Sequence, residues 1–222
     1  MIEILRDNAG FLAQGALVTV LLTVIGFLGA SVLGTVTAIF RVSPIAPLRW
    51  VGTIYVEFFR NIPLLSLLVL ITFGLPEIGL LLPLFWCGAV GLILSGSAFV
   101  CETVRSGINT VSLGQSEAAR ALGMSFTQQL RLIILPQAFR KMIQPMVNVF
   151  IGVLIGSSLV AAVGVSDITN VTQQLNIRYA EAVFLFLLSG GVYLLLAMGA
   201  GGVGGALERR LSRSRISSRG AK

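Results

Sequence analysis

Residues 117–136 read EAARALGMSFTQQLRLIILP and separate two long runs that carry no charged side chain. Helix-forming residues lead up to Gly123, and glycine favours the left-handed turn that commonly ends a helix. Thr127 is placed to cap a second helix, and Pro136 to end or bend it. The stretch therefore predicts a short helix, a sharp turn and a second helix that leads into an apolar segment.

Uncharged runs flank this stretch on both sides. A helix that crosses about 30 Å of hydrocarbon needs about 20 apolar residues, and the runs are long enough. We predict a single transmembrane domain over residues 1–208, with a cytoplasmic loop at 107–138 and a basic tail at 209–222. Its five predicted spans are residues 11–39, 52–75, 80–104, 141–165 and 182–206. For the second span two alternatives stay open: the apolar stretch 50–56 leads into it, or Pro63 starts a short, tilted helix.

The composition excludes a water-soluble enzyme and a disordered chain. Hydrophobic residues make up 55% of the 222 residues and charged residues only 11%, against about 25% charged in ordinary globular proteins. The mean hydropathy is +0.93. Histidine is absent, which removes the commonest general base and transition-metal ligand. Cys87 and Cys101 lie in apolar surroundings, so we predict two buried, reduced thiols and no metal site.

The basic residues predict the orientation. Lysine and arginine accumulate in cytoplasmic loops, and fourteen of the sixteen fall on one side of the five predicted spans. Only Arg6 and Arg178 fall on the other side. We therefore predict an external N-terminus and a cytoplasmic C-terminus. The net charge of +7 is explained by this bias and by attraction to anionic headgroups, so nucleic-acid binding is not expected.

The loop carries a long, gapped motif. In membrane subunits of ATP-binding-cassette (ABC) importers the same residue types stand at the same intervals, and this chain resembles them. The matching residues are Glu117, Ala118, Ala119, Gly123, Ile133, Leu135 and Pro136, with Gly114 shortly before them. The resemblance extends over roughly Gly10 to Arg210. Further matches, to permeases of the polar amino acid branch, lie at 41–44, 60–65, 102–108 and 114–115. The resemblance to glutamate and glutamine permeases rests on 41–44 and 106–117.

The resemblance implies the fold and the partners. It implies an all-α transmembrane fold, a five-helix bundle of the type I importer permease class, whose loop between spans three and four carries a coupling helix. Such a subunit has no catalytic residue and no cofactor of its own, and ATP and Mg²⁺ bind to the partner subunits. The implied partners are a dimer of ATP-binding subunits, a second permease subunit and an extracytoplasmic amino-acid-binding protein. The implied location is the plasma membrane of a bacterium.

Some polar residues near the spans suggest a substrate path. Ionisable groups at membrane depth mark functional sites, so the candidates are Glu102, Arg105, Arg60, Ser157 and Ser158. Each also has a structural interpretation. Glu102 with Arg105, and Glu57 with Arg60, are spaced as ion pairs on one helix face, and the serines can satisfy their own helix backbone.

The fourth span departs from the family pattern. Relatives usually carry a lysine, then Asp or Asn, then two hydroxyl residues and leucine, whereas residues 155–159 here read IGSSL. The missing charges favour a non-identical permease partner over a second copy. Two other function classes stay open, namely a self-sufficient secondary carrier or channel and a membrane scaffold that docks a cytoplasmic protein. A phosphate-binding glycine-rich loop is absent from the sequence, so ATP hydrolysis is expected on another subunit.

Overall fold

The computed structural model describes residues 2–217, which contain helices and no strand. Met1 and residues 218–222, including Arg219 and Lys222 of the predicted basic tail, lie outside the described residues. In chain order the helices are α1 Ile2–Asp7, α2 Ala9–Val42, α3 Ala46–Asn61, α4 Leu64–Val69, α5 Leu75–Glu77, α6 Leu84–Asn109, α7 Leu113–Ala121, α8 Phe126–Gln129, α9 Leu135–Gly156, α10 Ile168–Tyr179 and α11 Ala182–Ser217. A 3-10 segment, Ser157–Val163, extends α9.

Within residues 2–217, four helical stretches are long and apolar enough to cross a membrane. They are Ala9–Val42, Leu84–Asn109, Thr127–Val163 and Ala182–Arg210. A fifth crossing is present if α3 and the helical stretch Leu64–Glu77, which meet at an angle of 103°, are counted as one span. The all-α membrane architecture expected from the sequence is thus observed.

The bend between α3 and α4 falls at Pro63. Proline has no backbone N–H and disfavours helical geometry in the residue before it, and Ile62 is accordingly extended, with ψ 130°. Pro63 itself precedes the first residue of α4. The segment predicted as one span over 52–75 is therefore two helical pieces, divided at the extended Ile62–Pro63 pair.

Two five-residue π-helical segments, Leu70–Gly74 and Leu130–Ile134, each precede a Leu-Pro pair. A π-helix pairs each N–H with the carbonyl five residues back, as Leu135 does with Leu130. The wider turn leaves room for a proline that cannot donate to the preceding turn. Of the two outcomes predicted for Pro136, an end or a bend of the helix, the end does not occur, and helical structure runs from Phe126 to Val163.

Small residues bring α2 and α6 together. The buried positions of α2 include Gly26, Ala30, Gly34 and Ala38, one every four residues, which gives the helix a slim face suited to close packing in lipid. At Gly34 an added Cβ would lie 2.5 Å from the Ser97 carbonyl oxygen. Elsewhere along the same two helices, the main core joins Leu22 and Leu92 to Leu68 of α4 and Val153 of α9.

We predict that Gly34→Ala destabilises the subunit whereas Gly10→Ala does not. The new methyl group at position 34 meets α6 backbone, so the helices must separate, at a cost of about 1–3 kcal/mol. Gly10 is on the same helix, and an added Cβ there meets nothing within 4 Å. Thermal unfolding of the two purified variants measures the difference. Equal melting temperatures would contradict the close α2–α6 packing.

A short helix, α10, lies between the last two spanning stretches and is fixed at its N-terminus by Asp167. Asp167 Oδ1 accepts a hydrogen bond from the Asn170 N–H at 2.9 Å, and Oδ2 accepts one from the Tyr193 hydroxyl at 2.8 Å. Burial raises the pKa of the Asp167 carboxyl, and these hydrogen bonds oppose the rise. Ile168 N–H also donates to Thr19 Oγ1 at 3.1 Å. The contacts attach α10 to both α2 and α11.

Candidate functional site

The predicted coupling loop contains a short helix that ends in a Schellman motif. Gly123 has a left-handed φ of 74°; its N–H donates to the Arg120 carbonyl at 2.9 Å, and Met124 N–H donates to the Ala119 carbonyl at 3.1 Å. These two bonds satisfy carbonyls that the end of α7 leaves free. The helix begins at Leu113, after Ser112.

The helix after the turn is held by a capping box. Gln128 N–H donates to Ser125 Oγ at 3.3 Å, and Ser125 N–H donates to Gln128 Oε1 at 2.8 Å. Ser125 therefore takes the capping role predicted for Thr127, because the reciprocal pair needs a hydroxyl three residues before a Gln or Glu. Gln129 Nε2 adds a bond to the Met124 carbonyl at 2.8 Å, across the turn.

One face of the loop is exposed, and the other packs against and hydrogen-bonds to the rest of the subunit. Ala119 is buried and Gln137 Nε2 donates to Gln115 Oε1 at 2.7 Å, which joins α7 to α9. Ile133 and Leu135 are half-buried. The remaining motif residues are exposed, namely Gly114, Glu117, Ala118, Gly123 and Pro136. The arrangement is a rigid helix and turn with a small, free outer surface.

Three arginines surround the carboxylate of Glu102 at the ends of α2, α3 and α6. Glu102 Oε1 accepts a hydrogen bond from Arg41 Nη1. Arg60 Nη1 lies 3.9 Å from Oε1, and Arg105 Nη1 lies 3.9 Å from Oε2. Arg41 is only 9% exposed, whereas Arg60 is 50% exposed. The predicted Glu102–Arg105 neighbours do lie together. Arg60, however, turns to Glu102 rather than to Glu57, whose carboxylate instead accepts from Asn61 at 3.3 Å.

A cavity of about 620 Å³ opens beside this cluster, between α3, α4, α6 and α9. Arg60 and Glu102 line it with opposite charges, and Ser95, Thr103 and Asn148 add neutral polar groups. Such a mixture suits a small zwitterion that carries an ammonium and a carboxylate group. A larger groove of about 920 Å³ between α2, α9 and α11 is lined by apolar and hydroxyl residues and by no charged side chain.

The other candidate path residues lie elsewhere. Arg105 lines a separate, smaller pocket of about 320 Å³. Ser157 Oγ donates to the Leu154 carbonyl and Ser158 Oγ to the Ile155 carbonyl, both at 2.7 Å. Both hydroxyls thus bond within their own helix, where it tightens from α to 3-10. For the serines this geometry favours the structural interpretation.

Comparison with known proteins decides the family. The model of a protein family described as "binding-protein-dependent transport system inner membrane component" matches residues 30–213. The chain belongs to this family. It is therefore a multi-pass inner-membrane permease subunit of a binding-protein-dependent ABC importer, and the ATPase of such an importer lies on partner subunits.

The relatives are amino acid permeases. A probable glutamine ABC transporter permease of Bacillus subtilis is 38% identical to this permease, over 96% of this chain and 99% of that one. A glutamate transport system permease of Corynebacterium efficiens is 37% identical, over 83% and 87%. A crystal structure of an amino acid ABC transporter with histidines superposes with a TM-score of 0.89 at 30% identity, covering 93% of this chain and 96% of that one.

Two residues of the site, Arg41 and Asn148, were not among the candidates predicted from the sequence. Arg41 enters the sequence-based predictions only as a basic residue of the cytoplasmic side and as part of the stretch 41–44 that resembles the family. In the structure it is the hydrogen-bonded partner of Glu102. Asn148 is an isolated polar residue inside an apolar run, on the wall of the 620 Å³ cavity. A polar amide within a membrane span is the signal that points to Asn148. The pairing of Arg41 with a residue 61 positions away has no local signal in the sequence.

Proposed function

We propose that this permease subunit forms the path for a glutamate- or glutamine-like amino acid and couples it to ATP hydrolysis through α7. The observation that carries the proposal is the cavity in which Arg60 and Glu102 face the same space. Opposite charges there complement the carboxylate and ammonium groups of an amino acid. The two named relatives above 35% identity, a glutamine and a glutamate permease, support the substrate class.

The coupling role rests on the geometry of the loop. ATP-driven motion of a partner can reach the spans only through an element that does not deform. The outer surface of α7, with Glu117 and Ala118 exposed, is small enough to enter a groove of the ATP-binding subunit. The turn at Gly123 and the continuous helix from Phe126 to Val163 then connect that surface to the cavity wall.

The partner permease is proposed to be a related, non-identical chain. Ile155 stands where relatives usually carry lysine, and its side chain is 56% exposed. A related subunit with a lysine there would supply a charge that this chain lacks. A purified, transport-competent complex that contains this permease alone with the ATPase and the binding protein would show that two copies suffice.

Reconstitution tests the transport proposal. The complex is placed in proteoliposomes with ATP inside and the binding protein outside, and uptake of labelled glutamate, glutamine, arginine and histidine is compared. We expect uptake of glutamate or glutamine that requires both ATP and the binding protein. Preference for arginine or histidine would overturn the substrate class. Uptake by the permease alone, driven by an ion gradient, would overturn the coupled importer in favour of a secondary carrier.

We predict that a thiol introduced at Glu181 reacts with an impermeant maleimide on whole cells, whereas one introduced at Gln115 does not. Both positions are exposed, and they lie on opposite sides of the membrane in the proposed orientation. The native Cys87 and Cys101 are buried, so background labelling is low. Labelling after permeabilisation is the control for reactivity at position 115. The reverse pattern would refute the external N-terminus.

A further inference from the structure

A small basic pocket lies at the end of the bundle where α2 stops. Its volume is about 320 Å³, and its lining consists of Arg41, Arg49, Trp50, Thr53 and Arg105. All the charged side chains that line it are therefore arginines. The carboxylate nearest to them, Glu102, already accepts from Arg41 and lies 3.9 Å from Arg105. Several guanidinium groups thus share one negative charge, so the net charge of the pocket is positive.

The arginines are held in place by backbone and packing. Arg49 Nη1 donates to the carbonyls of Ser43 and Pro44, both at 3.1 Å. Gly52 lets the stem of Arg41 pass close to α3, since an added Cβ would lie 2.8 Å from Arg41 Cγ. A guanidinium has five N–H donors, so Arg49 retains donors beyond these two bonds. Guanidinium donors in a fixed arrangement match the oxygens of a phosphate group.

An apolar stripe adjoins the pocket on α3. Trp50, Ile54 and Phe58 follow one another at intervals of four residues, on one face of the helix, and are 68%, 63% and 56% exposed. In a membrane subunit such a face contacts acyl chains. A tryptophan between a basic pocket and an apolar stripe is typical of the headgroup level of a bilayer. The pocket and the stripe together provide for a molecule with an anionic head and long apolar tails.

We propose that this pocket binds the phosphate headgroup of an anionic phospholipid, whose acyl chains lie along the Trp50–Phe58 stripe. The charge excess selects against zwitterionic lipids, because a choline or ethanolamine cation would meet the arginines. The adjoining stripe favours a lipid over a soluble anion or an acidic protein segment, neither of which would cover that apolar surface. The site is distinct from the proposed substrate cavity, and it does not depend on which amino acid is transported.

Native mass spectrometry of the purified complex, titrated with phosphatidylglycerol or phosphatidylcholine, tests the proposal. We expect phosphatidylglycerol to bind at least about fivefold more tightly, and Arg49→Gln to remove about fivefold of that affinity, as one arginine near a headgroup contributes. Arg49→Lys keeps the charge but lacks the planar guanidinium donors, so it should lose part of the affinity and less than Arg49→Gln loses. Arg140→Gln removes the same charge from an exposed position on α9 and should leave the affinity unchanged.

Several outcomes would overturn the assignment. Equal binding of the two lipids, or an equal loss in Arg49→Gln and Arg140→Gln, would show that attraction is unspecific. Displacement of phosphatidylglycerol by millimolar inorganic phosphate would identify a soluble anion as the ligand. Loss of the ATP-binding subunits from the Arg49→Gln complex, with lipid binding intact, would identify the pocket as a protein contact. Trp50→Ala should weaken lipid binding without altering the preference for the anionic headgroup, and a changed preference would contradict the separate roles of pocket and stripe.

Discussion

Gly123→Val should abolish ATP-coupled uptake while the subunit remains in the membrane. Gly123 has a φ of 74°, and a β-branched residue in that left-handed conformation is strained by about 1–2 kcal/mol. Relief of that strain reorients the end of α7 and breaks the two hydrogen bonds from Gly123 and Met124. The docked fraction falls about tenfold for each 1.4 kcal/mol. Uptake by proteoliposomes and co-purification of the ATPase are the measurements.

The chain offers a matched control for this substitution. Gly79 also has a positive φ, 81°, and an added Cβ at either glycine meets nothing within 4 Å. Gly79→Val therefore introduces the same kind of strain in the loop before α6 and should spare coupling. Gly123→Asn, which tolerates the left-handed region, should be milder. Glu117→Arg leaves the turn intact and should still uncouple. Normal uptake with both Gly123→Val and Glu117→Arg would refute the docking role.

Glu102→Gln should both destabilise the permease and stop transport. Removal of the carboxylate charge leaves Arg41, only 9% exposed, without an anionic partner. The loss of a charge-assisted hydrogen bond costs about 1.5–3 kcal/mol. The cavity beside Arg60 also loses its negative wall, so the substrate ammonium group loses its counter-charge. The melting temperature of the purified complex and the uptake of labelled glutamate and glutamine report the two effects separately.

Two further variants distinguish the structural effect from the transport effect. Glu57→Gln changes an exposed carboxylate on α3 that accepts a hydrogen bond from Asn61, and it should alter neither measurement. In the double variant Arg41→Met, Glu102→Leu, the buried arginine that would be left unpaired is also removed, so we expect stability to recover relative to Glu102→Gln. Transport should stay absent. Recovery of both would place Glu102 outside the substrate path.

The membrane class and the position of the loop could be predicted because their signals are local. Uncharged runs mark the spans, and the left-handed geometry at Gly123 follows from one residue and its neighbours. The break at Pro63 lies inside the second predicted span, for which a helix that starts at Pro63 was one of two alternatives. Proline disfavours helical geometry in the residue before it, but the angle of 103° between the two pieces depends on what the second piece packs against.

The electrostatic cluster could be predicted only in part. Spacing of three residues brings Glu102 and Arg105 together on one helix face, yet it also suggested a pair between Glu57 and Arg60. The choice of Arg60 for Glu102 depends on the packing of α3 against α6, which local spacing does not encode. The helix α10 was missed for a related reason. Its twelve residues are of mixed polarity, and contacts with α2 and α11 hold it.

The π-helical segment Leu130–Ile134 changes the rotation about the helix axis between the coupling loop and α9. One extra residue in a helical turn offsets everything after it by about 100° relative to an uninterrupted α-helix. The face of the helix that follows α7 is therefore rotated against the face that lines the cavity at Asn148. Insertions or deletions in this segment, more than substitutions, would change which side chains of α9 face the cavity. The segment therefore fixes how far α9 is rotated about its axis relative to the helix that begins after the turn at Gly123.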